Sequence, residues 1–311
     1  MEEPQLRAIW DRDVRSSVFK DATPDSRPTT VLLGGQPGVG KTRTGVQAQN
    51  MHSGQAIVPI VGDDFRRFHP DYDELVDSDP LRMPDATAAA AGRWIQMSVD
   101  HANAQQFSSL IEGTWRSPDV PLDGARLAKG YGREVHAIVV AVPAKVSRLS
   151  TLERFYTDAD AGRPARWTPP DAHDQTVAHL PSTVRAIANS QDVDRFTVVD
   201  RVGEVLFDQQ GWTPGRADAA GEVFNAAFDR PLTVQESRDF RLTATRVIGS
   251  HERHTQGISS ADATIRQVTT TADALAAIAR RTQSLKRSPG AQEARLSITA
   301  ARADRDTGPT R

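Results

Sequence analysis

The sequence predicts an α/β fold: a mainly parallel β-sheet flanked by helices on both faces, followed by an all-helical C-terminal extension. Three observations predict it. Short apolar runs at 31–33, 56–61, 110–111, 136–142 and 196–199 alternate with segments of helical length such as 85–106 and 169–189. Strands alternating with helices build a parallel sheet covered on both sides. The first of those runs leads straight into a glycine-rich turn and then into a helical pattern. Near residue 212 the β-branched clusters stop, and Ala, Arg, Thr and Asp continue with a 3.6-residue period.

Taken in order, Leu6, Ile9, Trp10 and Val14 have helical spacing and open the chain with one amphipathic turn after another. The breaker cluster Thr23-Pro24-Asp25-Ser26-Arg27-Pro28 ends that element. Val31-Leu32-Leu33 then reads as a buried strand, apolar on both faces. After the last strand, Val223, Phe224, Ala227 and Phe228 mark one helical face, and Phe240, Ala244, Val247 and Ile248 a second. Ala261, Ile265, Val268, Ala272, Leu275 and Ala279 mark a third. From Lys286 onward, prolines and charges outnumber large apolar groups, as in a disordered tail. The expected division is 1–28 helix and linker, 29–211 nucleotide-binding α/β domain, 212–285 helical extension and 286–311 tail.

Composition excludes several chemistries. The 311 residues contain no Cys, so disulfides, thiolate nucleophiles and Cys-based zinc or iron–sulfur sites are ruled out. A net charge of −2, from 38 basic and 40 acidic residues, offers no global attraction to nucleic acid or to an anionic membrane. The acidic start Met1-Glu2-Glu3 and the shortness of every apolar run are those of a soluble, unprocessed, cytoplasmic protein. Only five of the 38 basic residues are Lys, at 20, 41, 129, 145 and 286, which makes Lys41 conspicuous.

Gly35-Gln36-Pro37-Gly38-Val39-Gly40-Lys41-Thr42 fits G-x-x-x-x-G-K-[ST], the P-loop pattern, between a strand and a helix. Its glycines let successive N–H groups turn inward onto phosphate oxygens at a helix N-terminus. Lys41 is placed to reach the β- and γ-phosphates, and the Thr42 hydroxyl to ligate Mg²⁺. The whole loop is therefore the expected ATP-binding element of a P-loop NTPase-like fold.

Ligands of open α/β sheets bind beyond the carboxyl ends of the strands, so the polar residues there come next. Asp63, after the 56–61 run, is the candidate base for an acceptor hydroxyl; its neighbour Asp64 is expected to diverge from it. Glu112, after 110–111, could ligate Mg²⁺ through water, hold a substrate hydroxyl or pair with Arg116. Arg148, Arg154, Arg163, Arg166 and Arg185 follow the fourth strand; any of them could stabilise a transferring phosphoryl group, though in so Arg-rich a chain each reads first as a solvated charge. His251 and His254, three apart on a helix, could hold a metal but read rather as a solvated face.

The P-loop, the stretch Gly62-Asp63-Asp64-Phe65-Arg66 leading to His69-Pro70-Asp71-Tyr72, the strand end Ile111-Glu112-Gly113-Thr114-Trp115-Arg116, and Glu153-Arg154-Phe155 with Ala165-Arg166-Trp167 and Ala172-His173-Asp174 together resemble the zeta toxin family. The resemblance runs from about residue 30 to 208. It implies a kinase of a toxin–antitoxin system that uses ATP and Mg²⁺ to phosphorylate a nucleotide sugar, typically the 3′-hydroxyl of UDP-N-acetylglucosamine. It implies Lys41, Asp63, Arg154 and Arg166 as catalytic residues, and Asp63, Arg66, Glu112 and Arg116 as the substrate side. It further implies a small helical antitoxin as partner, a part that the chain's own C-terminal helices could play in cis. Two positions depart from the family pattern. Leu122, Asp123 and Gly124 follow Asp119-Val120-Pro121 where members carry a Thr, and Gln96 stands where an acid is common. Two other readings remain: a P-loop phosphotransferase acting on an antibiotic or another nucleotide, and an ATP-binding regulator without turnover.

Overall fold

The computed structural model describes residues 1–163, 165–254, 265–274, 276, 277 and 279. The chain runs α1 (Glu3–Ile9), a π-helical turn at Trp10–Val14, α2 (Arg15–Val18), β1 (Thr29–Gly34), α3 (Lys41–Met51), β2 (Val58–Val61), α4 (Gly62–Phe65), α5 (Tyr72–Ser78) and α6 (Met83–Ala104). It continues through β3 (Ser109–Glu112), α7 (Asp119–Gly130), β4 (Glu134–Val140), α8 (Ala144–Asp160), α9 (Pro170–Ala188), β5 (Arg195–Val199), β6 (Val205–Gln210), α10 (Arg216–Asp229) and α11 (Val234–Arg253).

The six strands form one sheet in the order β2-β3-β1-β4-β5-β6. All pairings are parallel except β5 with β6, which are antiparallel. Every residue of β1 is buried, as its unbroken apolar run requires of a central strand covered on both faces. The chain leaves β1 toward β2 on one side and reaches β4 on the other, so a crevice opens at the carboxyl end of β1. The edge strand β6 was not among the expected strands. Its apolar run, Val205-Leu206-Phe207, is as short as the one at 31–33 and lies exposed or half-buried at the sheet edge, where a hairpin turn at Gly203 (φ 93°) lays it on β5.

The N-terminal pattern packs as its spacing requires: Leu6, Ile9, Trp10 and Val14 are buried against α6, where the Trp94 indole donates to Leu6 O at 3.0 Å. The helical extension does not stand apart. In α10, Ala220, Phe224 and Phe228 join the core formed by β4, β5 and α9, and in α11, Phe240, Ala244 and Val247 join one formed with α8. Of the third expected face, Ile265, Val268 and Ala272 extend the α8–α11 core; Ala261, Leu275 and the tail 286–311 lie outside the described residues. Phe224 is fully buried and stacks on Phe228 at 5.1 Å. Phe224→Ala is expected to cost about 3–5 kcal/mol, read as a lowered denaturation midpoint.

Two arginines depart from the reading of such residues as solvated charges. Arg216, 1% exposed, donates to the carbonyls of Ala188, Ser190, Val193 and Gly211 at 2.7–2.9 Å and ties α10 to the α9–β5 turn. Arg133 does the same below the sheet, donating to Thr30 Oγ1 at 2.7 Å and to Thr29 O at 3.2 Å. The planar five-donor guanidinium can satisfy several converging carbonyls at once, which a Lys cannot. His251 and His254 are not a solvated face either. His251 is buried against the Tyr156 hydroxyl at 2.7 Å, and His254 meets Asp160 at 2.9 Å, so both help seat α11 on α8.

Candidate active site

The loop after β1 curls because three of its glycines take conformations that other residues avoid, with φ of 147°, 82° and 100° at Gly35, Gly38 and Gly40. A Cβ at Gly38 would stand 2.2 Å from Ser147 O, so α8 closes over the loop too tightly for any side chain there. Gln36 and Val39 turn inward. Gln36 is fully buried and donates to Val142 O at 2.7 Å and to Ser147 Oγ at 3.3 Å, while Val39 fills the core beneath the loop. These side chains pin the loop to β4 and α8 and leave its backbone facing outward.

Lys41 opens α3, and its ammonium folds back onto the loop, donating to Gly35 O at 2.9 Å and to Gln36 O at 3.4 Å. Glu112 Oε1 lies 3.8 Å from it. Burial lowers the Lys41 pKa, and the carboxylates of Glu112 and Asp63 oppose that shift. Burial raises the Glu112 pKa against the pull of Lys41. Gly38, Gly40, Lys41, Thr42 and Glu112 line one side of a cavity of about 350 Å³; Ser150, Glu153, Arg154, Thr157 and Asp158 of α8 line another, and Arg201 after β5 closes it. A larger cavity of about 720 Å³ lies between α8, α11 and the helical residues 265–274, but it has no phosphate cradle.

Asp63 and Asp64 stand in the first turn of the short helix α4, not on an extended strand end, so they do not simply diverge. The Arg166 guanidinium lies 3.7 Å from each carboxylate. Burial pushes the Asp63 pKa up, but the cations Arg66, Arg154 and Arg166 outweigh it and hold the carboxyl below its ordinary value. Arg66 donates to Asp63 Oδ1 at 3.2 Å, to Thr87 Oγ1 at 2.7 Å and to Pro84 O, so its Nε and Nη1 are engaged between α4 and α6.

Of the five arginines that follow the fourth strand, three are engaged elsewhere: Arg148 with Asp174, Arg163 with Asp158 and Arg185 with Asp218. Arg154 donates to Thr168 Oγ1 at 3.2 Å, its one hydrogen bond among the described residues, and faces the loop cavity. Lys41, Thr42, Glu112 and Arg154 thus share one cavity, with Asp63, Arg66 and Arg166 beside it. Arg116 is not brought there. It is exposed, does not line the cavity and does not pair with Glu112.

The two positions that depart from the family pattern also lie away from the loop. Asp119-Val120-Pro121 starts α7, where Leu122 packs into the core and Asp123 pairs with Arg126; Gln96 lies exposed on α6, donating to Asp100. Two neighbours of the loop, Ser147 and Arg201, are absent from the sequence reading, and His173 enters it only within the family motif. Ser147 and His173 form a buried contact of 2.9 Å behind Gln36, and Arg201 lines the cavity itself. A signal for Arg201 was present, since it follows the apolar run 196–199 where strand-end ligands belong.

Trp115 takes a left-handed conformation, φ 57°, and covers Gly34 so closely that a Cβ there would stand 2.0 Å from its ring. The indole thus packs over Gly34 at the end of β1 and against Gly113 just after β3.

Comparison with known proteins gives a consistent result. The family model for zeta toxins matches residues 15–211. The chain is 33% identical to Toxin PezT of Streptococcus pneumoniae over 214 residues, 68% of this chain and 83% of that protein. It is 34% identical to Toxin zeta of Streptococcus pyogenes over 181 residues, 58% of this chain and 63% of that one. A solved structure from the PezAT chromosomal toxin–antitoxin system of Streptococcus pneumoniae superposes with a TM-score of 0.69 at 28% identity, over 81% of this chain and 98% of that chain. As 81% of 311 residues is about 252, that likeness extends past residue 211 and is wider than the 30–208 read from motifs.

Proposed function

The chain belongs to the zeta toxin family, and on that premise we propose that it is an ATP-dependent kinase toxin that phosphorylates a sugar hydroxyl of UDP-N-acetylglucosamine or a related nucleotide sugar. The observation that carries this reading is the single cavity shared by Lys41, Thr42, Glu112 and Arg154, with Asp63 held beside it by Arg66 and Arg166. A phosphate cradle and an ionised carboxylate side by side are what hydroxyl phosphorylation needs.

In this reading Asp63 takes the proton of the acceptor hydroxyl as its oxygen bonds to the γ-phosphorus. The bond from that phosphorus to the β,γ-bridging oxygen breaks, and ADP leaves with the electron pair. Lys41 releases the Gly35 and Gln36 carbonyls to bind the phosphates, while Arg154 and Arg166 meet the charge on the transferring group. The Thr42 hydroxyl and the Glu112 carboxylate, which line the same cavity, would hold a Mg²⁺ bound with the triphosphate, and such an ion, which takes few protein ligands, would supply charge neutralisation there. Arg66, with its Nε on Asp63 and its Nη1 on α6, acts here as a positioning residue for Asp63. Arg116 retains a proposed role only toward the far end of a nucleotide sugar. A small helical antitoxin is the proposed partner, and the cytoplasm the proposed site of action; no helix among the described residues is long and apolar enough to cross a membrane.

ATP consumption measured across UDP-sugars, other nucleotides and aminoglycosides tests the reading. Consumption with UDP-N-acetylglucosamine and a phosphorylated product is expected; consumption with an antibiotic or another nucleotide alone, or with none of them, overturns it. Arg154→Ala and Arg166→Ala are each expected to lower kcat by about 10²-fold, more than they raise the KM for ATP, because phosphoryl charge builds mainly as the bond breaks. Arg185→Ala, with its charge spent on Asp218, serves as the control.

A further inference from the structure

The cavity above the P-loop contains one charged group that phosphoryl transfer as described leaves without a task. Arg201 stands in the five-residue turn between β5 and β6, and that turn is rigidly built. Asp200 Oδ1 accepts from the N–H groups of Val202 and Glu204 at 2.9 and 2.8 Å, and Gly203 N donates to Asp200 O at 3.2 Å. Gln47, on the helix that Lys41 opens, donates to Gly203 O and clamps the turn to α3. From this fixed base Arg201 reaches into the cavity, where its Nη1 is buried with no hydrogen-bond partner among the described residues. Burial also lowers its pKa, and the nearby charge of Glu153, which favours the ion, does not cancel that shift.

The charges around it are otherwise matched. Lys41 faces Glu112 at 3.8 Å, Glu153 is held by Arg246 of α11 at 3.0 Å, and Asp158 is held by Arg163 at 2.7 Å. Both carboxylates on the α8 wall already have an arginine partner, Glu153 acting on Arg201 only through its charge, and Arg154 and Arg201 remain as cations for an anionic ligand. Their places in the sheet differ. Asp63 follows β2, two strands from β1 on one side, and Arg201 follows β5, two strands away on the other. Each is displaced by about 10 Å from the P-loop at the usual strand spacing of about 4.8 Å. A triphosphate seated on the loop with its γ-end toward Asp63 must send its nucleoside end toward β5.

We infer that Arg201 is a nucleotide-binding residue that contacts the nucleoside half of the triphosphate, at the α-phosphate, ribose or base, and not the γ-phosphoryl group. The inference rests on the nucleotide reading above. It assigns the β5–β6 turn to ground-state binding, whereas Arg154 and Arg166 serve the transferring group.

Calorimetric titration of the full chain with ATP, ADP and inorganic tripolyphosphate tests it. Arg201→Ala is expected to weaken ATP and ADP about tenfold, the scale of one charge-assisted hydrogen bond lost, and to leave tripolyphosphate within about twofold. Arg201→Lys should fall between, since a point charge replaces the fork. In turnover, the KM for ATP should rise about tenfold with kcat within about threefold. Arg185→Ala is the control, and unchanged thermal midpoints show that the variants are folded; if Arg201→Ala does not fold, Arg201→Lys carries the same comparison. Equal losses for ATP and tripolyphosphate, or unchanged ATP affinity in folded variants, overturn the inference. A wild-type chain that bound no ATP would instead overturn the nucleotide reading itself.

Discussion

Lys41→Ala is expected to lower kcat by at least about 10²-fold, the scale on which a transition-state charge partner is lost, and to weaken ATP binding with it. The side chain is 9% exposed, and its ammonium is the cation that lies inside the curl of the loop. Stability should change little. Removing the Lys forfeits its bonds to Gly35 and Gln36, but it also removes a buried charge, and Glu112, already shifted toward its neutral form by burial, can protonate in response. The check pairs a turnover assay with a thermal melt: a midpoint within a few degrees of wild type and turnover near the detection limit are expected. A folded variant that turns over at the wild-type rate would remove the P-loop from the mechanism.

Asp63→Asn is expected to lower kcat by a similar factor and to leave the ATP dissociation constant within about threefold, because Asn keeps the shape and cannot accept the acceptor's proton. Asp64→Asn should do much less, although Arg166 contacts both carboxylates, since only Asp63 is also gripped by Arg66. The pH dependence follows from the direction of the Asp63 shift. Its folded pKa lies below the ordinary value, so the base is ionised throughout the neutral range and its ion pairs stabilise the fold there. Both activity and that stability are lost as pH falls through the carboxylate range, and neither changes as pH rises above it. Equal effects of the two substitutions, or an activity that climbs through neutral pH, would assign the base elsewhere.

The parts of the site that could be read from the chain were those whose chemistry is local. A P-loop is eight consecutive residues, and its glycines, Lys41 and Thr42 carry their reason with them. The strand-end rule likewise found Asp63 and Glu112 from the apolar runs before them. The same rule applied to 196–199 leads to Arg201, which went unnoticed because a single Arg carries little signal among 33. Composition and position did not tell which arginines are spent; only the family resemblance singled out Arg154 and Arg166. In the structure Arg163 is committed to Asp158, whereas Arg154 faces the loop.

By itself the sequence determined the strand–helix alternation, the depth at which β1 is buried, the phosphate cradle and the family, because each depends on periodicity or on contiguous residues. Only the tertiary structure decided the rest: that β6 closes the sheet as an antiparallel edge, that Arg133 and Arg216 are buried among converging carbonyls, that Arg66 is spent on Asp63, that Arg116 stands apart, and that α10 and α11 are joined to the kinase core. Those outcomes turn on pairings between residues tens of positions apart. Whether a guanidinium finds an acid, a ring of carbonyls or nothing is set by what the fold carries to within a few ångströms of it, and local sequence does not encode that distance.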